Sequence, residues 1–250
     1  MTAATAALAL MAASAPRAVH AHGYLALPAA RNVQHNSEYC PHCLNAGGPW
    51  QVYAQGPGRP RYGVCGDPYT GPRHHEAGGR YATPPRIAGI YRSGGALVAK
   101  VVLTANHKGR WSLRLCPVPG DGSPRNERLT QACFDKHLLW RADGRGPFTP
   151  VSSTKNVYVE AYLLPKGLTC RRCVLQWTYE TGNSCTPPGL QNAAGLPSCA
   201  ASANGEMFWN CADIRIDGTA RPDPGPGSSS GRRRRRRSAG RRRRRGRGRG

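Results

Sequence analysis

The chain has 250 residues, with 36 Lys and Arg against 13 Asp and Glu and a formal net charge of +23. Thirteen of those basic residues lie from Arg232 onward, so the charge describes a terminal run more than a basic folded face. Ten cysteines weigh against a reduced cytosolic setting, and no run of about twenty apolar residues is present to span a bilayer as a helix.

Residues 1–21 have the pattern of a secretory signal peptide. The apolar stretch 3–13 is too short to cross a membrane and is followed by Val19-His20-Ala21, a small-x-small cleavage pattern. No Lys or Arg precedes that stretch, so the usual positive start is missing. Cleavage after Ala21 is expected to give a secreted, extracellular protein that begins at His22. A terminal histidine is a chelator: its free amine and its imidazole close on one ion, a nitrogen pair that suits Cu(II) in a planar arrangement.

Residues 25–90 carry scattered Pro, Gly and His and are expected to form long loops with one or two short helical turns. Tyr24, Trp50, Tyr53 and Tyr62 are candidates for stacking on sugar rings, with packing as the alternative for each. Cys40-Pro41-His42-Cys43 and Cys170-Arg171-Arg172-Cys173 are both C-x2-C pairs. More than a hundred residues separate them, unlike the short spacing of a zinc ribbon, so the ten cysteines are read as five bridges of open connectivity.

Four later segments, 96–104, 111–116, 156–164 and 173–179, alternate or run apolar at strand length and are rich in β-branched and aromatic residues. Turn formers at 106–109, 117–125 and 143–150 separate them. No segment has the period of a long amphipathic helix. The fold class is therefore all-β, one disulfide-stabilised sandwich domain over residues 22–218. His107 falls where the first of these strands breaks into a turn, which aims its ring outward, and it would add a third nitrogen to the pair at His22. Residues 206–214 alternate large apolar and polar side chains as a closing strand does.

Residues 219–250 change to Gly, Pro and Ser and then to arginine blocks at 232–237 and 241–245, a composition that cannot bury a core. Such a tail is expected to be disordered and to bind polyanions by counterion release. A nucleic-acid partner is set aside, because the leader and the cysteines put the chain in another compartment.

Several motifs occur in one order: His22-Gly23-Tyr24, Cys65-Gly66-Asp67-Pro68, Leu103-Thr104-Ala105-Asn106-His107, Arg114-Leu115-Cys116-Pro117, Cys133-Phe134-Asp135, 175–184 and 208–214. Together they resemble the lytic polysaccharide monooxygenases, nearest to auxiliary activity family fifteen, over residues 22–217. The resemblance implies an immunoglobulin- or fibronectin-like β-sandwich with long loops, carrying one copper in a histidine brace. His22 would supply its amine and a ring nitrogen, and His107 the third nitrogen. Phe208 matches the axial aromatic, here without a phenol oxygen, and Ala105 the small residue beside the open axial position. Glu206 matches a polar residue near the distal oxygen site, with a plain surface carboxylate as the alternative, and Tyr24 is a candidate substrate contact.

The implied activity is oxidative cleavage of a crystalline polysaccharide at C1 or C4, driven by a small-molecule or protein electron donor. Chitin is the first substrate expected and cellulose the second. A non-catalytic polysaccharide-binding module and an extracellular copper-binding protein are the alternatives.

Overall fold

Strand alternation sets the architecture. In the computed structural model, which describes residues 21–34, 40–56, 59–191, 196–199 and 205–218, nine strands are joined by loops, and the α-helices among them do not exceed five residues. The expected leader before Ala21 and the expected tail after Gly218 lie outside the described residues.

One sheet has the order β1 (His22–Leu27), β3 (Ala96–Ala105), β7 (Val157–Leu163) and β5 (Trp140–Arg141), all antiparallel. The other has the order β2 (Ile87–Arg92), β9 (Met207–Asp217), β8 (Cys170–Glu180), β4 (Arg110–Pro117) and β6 (Phe148–Pro150), with β2 parallel to β9 and the rest antiparallel. In β3, Leu97, Ala99, Val101 and Leu103 turn inward as the period of two requires. They meet Trp111, Leu113, Trp177 and Phe208 from the second sheet in one core between the two layers.

β8 and β9 are buried along nearly their whole length rather than alternately. The cause is a second layer outside the five-stranded sheet, where Val64, Cys65 and Phe134 pack on Cys116, Val174 and Cys211. Of residues 25–90, expected as loops and short helical turns, 25–27 and 87–90 instead belong to strands β1 and β2, because they pair with β3 and β9, and much of the rest covers the five-stranded sheet. The rest also contains the two short helices α1 (Arg31–Gln34) and α2 (Pro49–Val52). The strands expected from sequence all form. Residues 143–150 differ in part, because Phe148–Pro150 pairs as a short edge strand with β4. Pro150 is tolerated there because an edge position leaves its missing donor without consequence.

Five disulfides join Cys40–Cys43, Cys65–Cys211, Cys116–Cys133, Cys170–Cys173 and Cys185–Cys199. Cys65–Cys211 spans 146 residues and staples the loop cover to β9; on the chain-entropy model such a closure contributes about 4–5 kcal/mol. A buried charge cluster does the same by other means. Arg31 donates to both carboxylate oxygens of Asp213 at 2.8 Å and to Glu127 at 3.0 and 3.1 Å, and Arg172 donates to Asp213 at 2.9 Å and also to Glu127. Two cations face two anions, so no charge in the cluster is left unpaired. Burial works against the Arg31 charge, yet its bonds to Asp213 and Glu127 hold its pKa above the usual arginine value.

Candidate metal centre

β1 and β3 end together. His22 is the register partner of Ala105, and His107 follows two residues later, so the pairing brings the two histidines to the same end of the sandwich. Gly23 allows the close approach: a Cβ there would meet Leu103 Cδ2 at 2.6 Å and Val102 O at 3.2 Å.

The turn that carries His107 is held from three sides. Tyr179 Oη, from β8, accepts from His107 N at 3.2 Å and donates to Lys108 O at 2.7 Å. Gly182 N donates to His107 O at 2.8 Å. Asn106 Nδ2 donates to Ser152 O and Lys155 O, both at 2.7 Å, and its Oδ1 accepts from Lys108 N. Lys108 itself has a φ of 54°, and Gly109, at φ 92°, lies where a Cβ would collide with Glu180 O. The backbone of the turn is thus fixed while the His107 side chain stays half-buried at the surface.

Phe208 is fully buried, with its ring 6.1 Å from that of His22 and stacked at 6.1 Å on Tyr179. Burial pushes the Tyr179 phenol well above the usual tyrosine value, so it stays protonated and able to donate. Glu206 is 4% exposed and its carboxylate accepts from Ala21 N at 3.0 Å and from Asn45 Nδ2 at 3.4 Å. Its backbone carbonyl accepts from Thr181 N.

The structure therefore brings His22, Ala105, His107, Glu206 and Phe208 to one end of the domain. Tyr24 lies further along β1, opposite Val102 and facing away from the core. Of the other aromatics, Tyr62 stacks on Trp209 at 4.4 Å and Tyr53 packs against Met207, whereas Trp50 in α2 is 87% exposed.

Sequence reasoning missed His42. It sits inside the C-x2-C loop closed by Cys40–Cys43, and its ring meets that of His22 edge-on at 5.2 Å. Burial and the neighbouring His22 lower its pKa. The signal was there, as a histidine between two cysteines, but nothing in the sequence says that this loop folds back on residue 22. Asn45 was missed for the same reason.

Two imidazoles at adjoining strand ends, with a buried aromatic face behind one of them and a carboxylate on the Ala21 amide nearby, form a donor set of nitrogens with an apolar backing. That set fits a borderline-soft divalent ion such as copper. The model of the family described as "Lytic polysaccharide mono-oxygenase, cellulose-degrading" matches residues 22–214.

The chain belongs to the lytic polysaccharide monooxygenases.

Among solved structures, the AA15 lytic polysaccharide monooxygenase from Thermobia domestica in its Cu(I) state is 31% identical, covers 80% of this chain and 100% of its own, and has a TM-score of 0.64. The cellulose-active monooxygenase CelS2 in complex with copper is 14% identical, covering 79% of this chain and 100% of its own, with a TM-score of 0.42. A chitin-binding domain from Burkholderia pseudomallei is also 14% identical over 79% of this chain and 100% of its own, with a TM-score of 0.39. No curated protein sequence matches the chain. As a lytic polysaccharide monooxygenase it is nearest in kind to the AA15 enzymes, in agreement with the resemblance drawn from its motifs.

Proposed function

We propose that this chain is a secreted copper-dependent monooxygenase that oxidatively cleaves chitin, using electrons from a small-molecule or protein donor. The observation that carries this reading is the joint position of His22 and His107, set by the β1–β3 register.

In the chain as described, the His22 nitrogen is a peptide amide joined to Ala21, and Ala21 is fully buried with its own amide on Glu206. An amide nitrogen is a poor ligand. Cleavage after Ala21 turns the His22 nitrogen into an amine and removes the Ala21 donor from Glu206 Oε2. His22, through amine and ring, and His107, through its ring, would then hold one copper ion. Bound copper supplies one-electron chemistry that activates oxygen or peroxide toward a C–H bond at the glycosidic carbon.

The residues around it have separate tasks. Tyr179 fixes the backbone from which His107 projects. Phe208 would present an apolar face to the ion, and its missing phenol offers no oxygen donor. Ala105, by its small size, would leave room for a reactant beside the ion. Glu206 would hold or move a proton at its carboxylate. Trp50, which presents its ring to solvent on the same loop layer as Asn45, is a stacking platform for a sugar ring at the rim. Tyr24 is a weaker candidate for that task, given its place along β1.

The test is made on exported protein. Intact mass should show a first residue of His22, copper titration should give tight binding, and chitin with a reductant should release oxidised oligosaccharides. Products from cellulose alone would move the substrate assignment to cellulose, and tight copper binding without any oxidised product would make the protein an extracellular copper carrier.

A further inference from the structure

Among the described residues, one group of three metal-ligating side chains lies close enough together for a single ion: Cys40, His42 and Cys43, whose ligand atoms all fall within 4.8 Å of one another. That span is close to twice a metal–ligand bond of about 2.0–2.3 Å. The two sulfurs are joined in a disulfide, so the group is closed to metals in this state. We propose that reduction of Cys40–Cys43 opens a second copper site, in which the two thiolates and His42 hold Cu(I) alongside His22.

Three observations carry this. The bridge closes a loop of only three residues' separation, so it constrains the unfolded chain far less than Cys65–Cys211 does and the fold has little stake in it. It is also reachable, since Cys40 and His42 are half-buried and Cys43 is exposed; the similar pair Cys170–Cys173 has a fully buried Cys173 and two arginines between its sulfurs. Finally, two thiolates and an imidazole form a soft set that selects Cu(I) over the harder divalent ions, and the imidazole already lies 5.2 Å from the His22 ring. The loop is tied to that strand by Gly23 N donating to His42 O.

The step balances with a small thiol as reductant. Two thiol molecules break the Cys40–Cys43 bond, become joined as a disulfide, and pass their two protons to the cysteine sulfurs; Cu(I) binding then displaces those protons. The site does not depend on the nitrogen-held copper proposed above.

The test titrates Cu(I) anaerobically into exported full-length protein, before and after mild thiol treatment, with alkylation and peptide mass mapping to identify the opened bridge. The expected result is a further equivalent of Cu(I) only after Cys40–Cys43 opens, with sulfur neighbours in X-ray absorption. His42→Ala, which keeps both cysteines, should weaken that equivalent by about tenfold or more, and the Cys40→Ser/Cys43→Ser variant should lack it. A bridge that stays closed while the domain remains folded, an unchanged copper count after it opens, or a further equivalent that survives in the double variant would each overturn the proposal. His107→Ala separates the two readings: it should remove the nitrogen-held copper and leave the sulfur-held one.

Discussion

Tyr179 grips the turn of His107 by both faces of its hydroxyl, accepting from His107 N at 3.2 Å and donating to Lys108 O at 2.7 Å. A side chain buried in the sandwich thereby sets the position of a surface ligand. Tyr179→Phe removes both bonds and strands two backbone groups, at a cost of about 1–3 kcal/mol. The expected outcome is a folded protein whose copper affinity falls by about 10-fold to 100-fold, measured by copper titration of the exported protein, with a changed Cu(II) electron-paramagnetic spectrum.

The His22 nitrogen is the most sensitive point of the proposed centre. A processed protein carrying one extra alanine before His22 should lose copper affinity by more than about 100-fold, because its nitrogen is again an amide. His107→Ala should do the same. Circular dichroism should show an unaltered β-sandwich in both, which separates loss of a ligand from loss of the fold.

Arg31, Glu127, Arg172 and Asp213 form a closed set of buried charges. Asp213→Asn leaves two guanidinium groups facing one carboxylate away from water and should destabilise the domain by about 3–5 kcal/mol. At a few degrees per kcal/mol for a domain of this size, the thermal midpoint should fall by roughly 10 °C. Scanning calorimetry of Asp213→Asn with the disulfides intact measures it.

The expected structure was largely legible where the sequence has a period. Segment 96–104 shows alternation and becomes β3, and His107 stands at its end as the break at Asn106 suggested. The covering layer was not legible, because Val64, Phe134 and the Arg31 cluster meet the sheet through contacts between residues far apart in sequence with no repeating pattern. For the same reason the closeness of His42 to His22 could not be read, although the C-x2-C loop itself was plain. Phe148–Pro150 escaped notice because a three-residue edge strand next to a proline carries the composition of a turn.

Alkaline pH should loosen the fold through its buried phenols. Burial, helped by the nearby Asp135, pushes Tyr62 up to about 12. A group whose folded pKa is raised stabilises fully below its unfolded value, about 10, and that contribution is lost as pH rises through the folded value. Denaturant midpoints should therefore hold steady to about pH 10 and fall beyond it, and Tyr62→Phe should make the decline shallower.

Removal of residues 222–250 should leave turnover of a soluble oligosaccharide unchanged, since every residue assigned to the proposed centre precedes that segment in the sequence. Retention on an anionic polysaccharide should drop, and the salt dependence of binding should flatten. Affinity chromatography at two ionic strengths tests this.

Glu206, Phe208, Cys211 and Asp213 stand on or beside β9, the last strand among the described residues, while their partners Ala21, His22, Cys65 and Arg31 come from the first third of the chain. The ribosome must therefore deliver almost the entire domain before any of these links can close, and contacts across 185 residues make for slow, late assembly. Until β9 arrives, the opposite sheet face and the cysteine at 65 wait uncovered, so the nascent domain carries exposed apolar surface and an unpaired thiol until its closing strand is made.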